Sequence, residues 1–284
     1  MEKLIDMHMH TNSSDGDYTA DSLIKHAIDN NVGTIAITDH DTIAGLKSIN
    51  KDNYDNINII DGIELSCKID KGSLHMLGYN IDINSEYLSN KIEMLNSYSF
   101  NNFIMLLAQI KKDYGLEFSY NDIMSILEKR KSIGRPDIAR LCVKYGYTKT
   151  IQEGFDLYLK PAYKIINDYR DNLIYEEAID IILNSGGIPV LAHPKTLKMN
   201  EKELLLFVKK LITCGLQGIE VYHSSHNEEE MGLYLDIAKK YDLLISGGSD
   251  FHGTVKPNVK LGTGINNNLK IKQLSILDYI KKCN

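Results

Sequence analysis

Histidine is the side chain to follow in this sequence. The chain has nine, and six of them, His8, His10, His40, His75, His193 and His252, fall at or just past the ends of short apolar runs. Three carboxylates, Asp15, Glu64 and Asp250, fall at comparable positions. Mixed imidazole and carboxylate donors suit Mn²⁺, Fe²⁺ or Zn²⁺ better than Ca²⁺. One histidine alone reads as an ordinary half-buried side chain. The set reads differently, because His8 and His10 are two residues apart and Asp250 and His252 repeat that spacing. Alternate residues of a strand share a face, so each pair is expected to present two donors to one ion from a strand end. His26 lies inside a helical pattern and carries no such signal. Asp6 and Asp39 precede ligand positions and are expected either to hold an imidazole or to cap a strand end.

The elements that must position these residues are legible from hydrophobic pattern. Runs rich in Ile and Val at 4–8, 34–38, 59–64, 74–78, 188–192, 218–222 and 243–247 read as seven buried strands. Helical patterns at 20–30, 176–185, 201–214 and 228–241 separate most of them, as a parallel α/β fold requires. In a parallel barrel the C-terminal strand ends converge on one mouth, where residues distant in sequence meet. Between residues 86 and 170 the strand signal stops. Ile92, Leu95, Phe103, Leu106, Leu107, Ile110, Ile123, Ile126 and Leu127 there follow the helical period. The expected organisation is a barrel built from 1–85 and 171–284 with a helical insertion at 86–170.

Composition narrows the partners. A net charge of −6 disfavours a broad surface for duplex DNA, while leaving room for a local basic pocket around a small phosphorylated molecule. The four cysteines are widely spaced, with no CxxC or CxxH pairing, so neither a disulfide framework nor a zinc ribbon is indicated. There is no signal-peptide pattern, and no run of about 18 apolar residues that would span a membrane. A cytoplasmic location is the expectation; the oligomeric state is left open.

The short motifs DMHMH (6–10), SDG (14–16), TDHDT (38–42), GIELS (62–66), HMLGY (75–79), AHP (192–194) and SDFHG (249–253) together resemble those of the PHP family, the polymerase and histidinol phosphatase domain. The resemblance implies a distorted seven-stranded (β/α)₇ TIM-like barrel with two to three divalent ions, manganese, iron or zinc, at its mouth. It implies one ion on His8, His10, Glu64 and Asp250, a second on Asp15, His40 and His252, and a third on Glu64, His75 and His193, with Glu64 bridging. The chemistry implied is phosphate ester hydrolysis by hydroxide held between ions, with no protein nucleophile.

IGRPDIAR (133–140) and FDLYLKPAY (155–163) resemble members with a helical insertion, the 3′,5′-nucleoside bisphosphate phosphatases and 5′-to-3′ exoribonucleases. That resemblance implies Arg135 and Lys160 as substrate-phosphate ligands, Arg135 through its planar fork and Lys160 as a point charge. Two positions depart from the pattern: Asp137 stands where relatives usually carry His, and the segment before Pro161 is shorter. EVYHSSH (220–226) implies His226 and His223 on the substrate side of the ions, as substrate contacts or general acids; a helix cap is the alternative. The competing functions are a phosphatase of a small metabolite such as histidinol phosphate, and a non-catalytic metal-binding regulatory module.

Overall fold

Seven strands hydrogen bond in chain order into one sheet in the computed structural model, which describes residues 2–129, 132–166 and 173–283. They are β1 (Leu4–Asp6), β2 (Val32–Ile37), β3 (Asn58–Cys67), β4 (Leu74–Tyr79), β5 (Ile188–Leu191), β6 (Gly218–His223) and β7 (Leu244–Gly248). Beyond the sheet order, Met7 N donates to Gly247 O (3.1 Å), Asp250 N to His8 O (2.8 Å) and His10 N to Phe251 O (3.0 Å). These bonds bring the first and last strands together and close the barrel.

The sheet departs from the all-parallel expectation at one strand. β1, β2 and β3 pair parallel and so do β5, β6 and β7, whereas β4 is antiparallel to both β3 and β5. The cause is the length of a connection. A parallel return needs a crossover of about a dozen residues or more, and only residues 68–73 join β3 to β4. His75 therefore sits near the start of its strand, beside the ends of its neighbours.

Helices α1 (Ala20–Asp29) and α2 (Ala44–Lys47) cover the first strands. Between β4 and β5 lie α3 (Glu86–Tyr114), α4 (Tyr120–Lys129), α5 (Arg135–Lys144), α6 (Ile151–Gly154) and α7 (Lys160–Ile166), with a π-helical stretch at Phe155–Leu159 before α7. Helices α8 (Tyr175–Asn184), α9 (Glu201–Thr213), α10 (Glu228–Tyr241) and α11 (Ser275–Cys283) complete the outer layer. Caps set several boundaries. In α9 and α10 an Asn-x-x-Glu sequence forms a reciprocal capping box, Asn200 with Glu203 and Asn227 with Glu230.

The N-terminal part of α3 packs Leu88, Ile92 and Leu95 into the barrel's outer core. Farther along, Phe103, Leu106 and Ile110 join Ile138, Cys142, Leu159 and Ala162 in a separate apolar cluster. Helices α3 to α7 thus share a core of their own; α3 runs from it into the barrel's outer core, and Ser132 N donating to Ser13 O (3.1 Å) and Arg140 Nη2 donating to Asp15 O (2.5 Å) add further ties. Inside the barrel, Tyr79 is fully buried and reaches across it, donating to Met7 O (2.9 Å) and accepting from Ser246 Oγ (2.9 Å).

Gly248 marks where the barrel seam leaves no room. A Cβ there would lie 2.3 Å from His8 N and 2.8 Å from Asp6 Oδ1, and those atoms belong to the strand end carrying His8. Gly248→Ala is expected to cost about 1–3 kcal/mol through overpacking, read as a lower urea midpoint, whereas Gly232→Ala, with open space around it, is expected to cause no such loss.

Candidate metal centre

Glu64 is the hub of the barrel mouth. It is buried near the middle of β3, and Oε2 lies 3.2 Å from each of His8 Nε2, His10 Nε2 and His40 Nδ1. Its other oxygen lies 2.8 Å from His75 Nδ1 and 2.9 Å from His193 Nε2. Asp250 Oδ1 faces His10 Nε2 (3.3 Å), His252 Nδ1 (3.3 Å) and His8 Nε2 (3.6 Å). Asp15 Oδ1 faces His252 Nε2 (3.1 Å) and His10 Nδ1 (3.6 Å). All nine residues singled out in the sequence therefore meet in one place.

The hydrogen bonds outside this cluster decide which nitrogens point into it as bare lone pairs. His8 Nδ1 donates to Glu220 Oε1 (2.9 Å), His193 Nδ1 to Thr196 Oγ1 (3.0 Å) and His252 Nδ1 to the carbonyl of Asp250 (2.8 Å). A neutral imidazole has one N–H, so Nε2 of each ring is then an acceptor. Each of those acceptors is aimed at a carboxylate oxygen, which is also an acceptor. Only a shared cation, a proton or a metal ion, makes that arrangement favourable.

A second observation agrees. His8 Nε2, both ring nitrogens of His10, Asp15 Oδ1 and His40 Nδ1 are buried without a hydrogen bond of acceptable geometry among the described residues. Buried polar atoms are nearly always partnered, so this concentration fits a pocket built for ions. Donor atoms of His8, His10 and Glu64, of His40, Glu64 and His75, and of His10, Asp15, His40 and His252 form sets whose members all lie within 4.8 Å of one another. The donor chemistry and the geometry fit divalent ions.

The electrostatics follow from putting charge in a dry place. Burial alone would raise Glu64, but His40, His8 and His75 outweigh it and hold the carboxyl well below its usual range. Asp15 behaves the same way through His252 and His40, and Asp250 through Lys256, His252 and His8. Burial would lower His10, but the facing carboxylates of Asp250, Glu64 and Asp15 raise it to about 9. For His40 burial wins, and the ring falls to about 3.

Backbone strain helps to aim the ligands. His193 has φ 24° and Asp250 φ 59°, positions that non-glycine residues rarely occupy and that concentrate at functional sites. Asp250 and His252 lie past the end of β7, so this pair is placed by a left-handed turn and not by alternation along a strand, as the spacing alone had suggested. His8 and His10 likewise follow β1, but there the chain stays extended, with Met9 bridged to Phe251.

Glu220 is a site residue that the sequence reading left unassigned. Fully buried on β6, it accepts from His8 Nδ1 and, through Oε2, from His193 N (2.7 Å). One carboxylate thereby orients two ligands. Its only sequence signal is an acidic residue within an apolar strand, GIEVYH. Asp6 and Asp39 act on loops and hydroxyls: Asp6 accepts from Ser249 N and Gly262 N, and Asp39 from Thr11 N, Thr11 Oγ1 and Ser14 Oγ. These bonds fix the turns that carry Asp250 and Asp15. His26 stacks on Phe251 at a ring distance of 5.4 Å, away from the centre.

A cavity of about 420 Å³ opens from the centre between the barrel mouth and the helices that follow β4. Asp15, His40, His75 and His252 form its floor; Leu95, Tyr98, Phe103 and Phe155 form an apolar and aromatic wall. Arg135 borders it, with the guanidinium 4.3 Å from the centre of the Tyr163 ring. Lys160 does not: its side chain is 59% exposed, lies outside the cavity wall and pairs with Asp156 one helical turn back. Asp137 is buried, accepting from Gly134 N (2.9 Å) and Arg140 Nη1 (3.0 Å), so it serves the start of α5. His223 reaches the centre, with Nε2 3.4 Å from Asp250 Oδ2, whereas His226 lies behind it and uses Nδ1 to donate to Val221 O (2.8 Å). Neither histidine lines the cavity.

Comparison with known proteins agrees with this architecture. The chain is 29% identical over 266 residues to the 5′-3′ exoribonuclease Rnm of Escherichia coli, covering 91% of this chain and 88% of that protein. It is 28% identical over 252 residues to the 3′,5′-nucleoside bisphosphate phosphatase of Chromobacterium violaceum, covering 87% of each. A solved structure from Bifidobacterium adolescentis, described as a candidate metal-dependent phosphoesterase, superposes with a TM-score of 0.78 at 26% identity over 94% of both chains. The fold also matches an amidohydrolase structure from Chromobacterium violaceum, with a TM-score of 0.82 over 98% of this chain and 96% of that one, at 24% identity. The PHP domain profile matches residues 6–202, well over half of the chain. The chain belongs to the PHP domain family and is a hydrolase of its metal-dependent phosphoesterase type.

Proposed function

We infer that this protein hydrolyses phosphate esters of nucleotides, either a 3′,5′-bisphosphorylated nucleotide or the 5′ end of a short RNA. It does so with two to three divalent ions held by His8, His10, Asp15, His40, Glu64, His75, His193, Asp250 and His252. The observation that carries this reading is the set of buried imidazole lone pairs aimed at carboxylate oxygens, an arrangement that calls for cations between them. When bound, such ions polarise phosphoryl oxygens and make water a competent nucleophile near neutral pH.

The chain's own residues do the rest. Glu64 offers one oxygen to each side of the cluster, which suits a bridging ligand. Arg135 sits on the cavity wall, stacked on Tyr163, where its planar fork is suited to a phosphate. The wall of Leu95, Tyr98, Phe103 and Phe155 offers a flat base an apolar surface beside the reacting group. The cavity volume is within the range of small-molecule sites. The relatives named for a nucleoside bisphosphate and for RNA add support for a nucleotide substrate. Lys160, exposed and paired, contributes less to this reading than Arg135. A general-acid role for His223 or His226 draws little support from two rings outside the cavity wall.

Two measurements test it. With manganese-loaded protein, kcat/KM for 3′-phosphoadenosine 5′-phosphate or for a short 5′-phosphorylated RNA is expected to exceed that for histidinol phosphate. The reverse order would overturn the nucleotide assignment, and no turnover on any of the three would favour the non-catalytic module. Glu220→Gln keeps the shape of a side chain that touches two ligands from outside. It is expected to weaken metal binding roughly 10–100-fold, as loss of an outer partner does, measured by competition with a chelating dye; unchanged affinity would remove Glu220 from the account.

A further inference from the structure

One cation of the barrel borders the same cavity without any role in the reading above. Lys256 lies just past the turn that carries His252 and lines the cavity together with Asp15, His40 and His75. Its Nζ is 2.6 Å from Asp250 Oδ2. That is the oxygen turned away from His10 and His252, which face Oδ1. Lys256 can therefore keep this bond while Oδ1 serves an ion. An ammonium has three N–H donors, and among the described residues Asp250 is the one hydrogen-bond partner of this one. Two donors are left over, on a side chain 41% exposed at the cavity wall.

The segment that carries Lys256 is held in place. Thr254 donates to Asp17 Oδ2 through its backbone N (2.8 Å) and through its hydroxyl. Gly253 has φ +69°, and a Cβ there would come within 3.0–3.2 Å of Tyr18 and Asp17. Val259 N closes a turn onto Lys256 O (2.9 Å). The turn is thus locked against residues 17 and 18, next to Asp15. Arg135 reaches the cavity from α5, so a second cation faces it from the barrel.

We propose that Lys256 is a substrate anchor, whose two remaining N–H groups bind non-bridging oxygens of the phosphoryl group beside Asp250. This rests on the phosphate ester reading given above. Its rival is a purely local role in which Lys256 only neutralises and orients Asp250.

Titration calorimetry with inorganic phosphate on manganese-loaded wild-type, Lys256→Met and Lys256→Arg proteins separates the two, with bound manganese per chain measured alongside. Met keeps the stem and removes the charge; Lys256→Gln, which retains a polar head, is read the same way. Expected are a loss of phosphate affinity of roughly ten- to hundredfold in Lys256→Met, the scale of a charge-assisted hydrogen bond, unchanged manganese content, and recovery of most of the loss in Lys256→Arg. Phosphate affinity unchanged in Lys256→Met, or a loss that follows lost manganese, would overturn the proposal. Failure of the wild-type protein itself to bind phosphate would overturn the phosphate ester reading, and this inference with it.

Discussion

A buried carboxylate surrounded by imidazoles is the constraint around which this molecule is organised. Glu64 is 1% exposed, and five histidine rings approach its two oxygens. Three of the centre's rings, His8, His193 and His252, have their N–H committed outward, so lone pairs converge on anionic oxygen. In a low-dielectric interior such crowding is costly unless cations are shared between the groups. The fold therefore makes sense as a device that keeps these side chains together until ions join them.

The scaffold achieves this with strand ends and turns that are themselves tied down. Closure between β1 and β7 brings the loops of His8, His10, Asp250 and His252 against one another. Glu220 sets the orientation of His8 and the backbone at His193. Asp6 and Asp39 spend their oxygens on backbone and hydroxyl donors, so that the turns around Asp250 and Asp15 do not drift. Left-handed conformations at His193 and Asp250 store strain where the ligands are aimed, as the surrounding bonds permit. Among the described residues, the helices after β4 bring no candidate ligand to the centre; they supply the outer wall of the cavity and Arg135.

Much of this was legible in the sequence, and the reasons are physical. Apolar runs ending in His, Asp or Glu marked the strands and the mouth together, because a buried strand and a metal ligand at its end have opposite compositions. All nine side chains singled out as candidate ligands meet at the centre for that reason. The direction of β4 was not legible from its own residues; it follows from the short link before it. The pairing of Asp250 with His252 suggested a strand, yet a left-handed turn gives the same convergence from a loop. Glu220 carries no distinctive signal in the sequence, because a single acid inside an apolar run resembles many strand positions; only its bonds to His8 Nδ1 and His193 N distinguish it. Lys160 carried a motif-based expectation, but an aspartate one helical turn away satisfies it on the exposed face.

The claim on which the account stands is that these nine side chains form one polynuclear site. Counting bound metal answers it most directly: wild-type protein stripped with chelator, reloaded with manganese and freed of excess by gel filtration is analysed by elemental mass spectrometry against protein concentration. The account predicts two to three manganese ions per chain, falling to at most one in Glu64→Gln. Less than one ion per wild-type chain, or a count unchanged by Glu64→Gln, would contradict it.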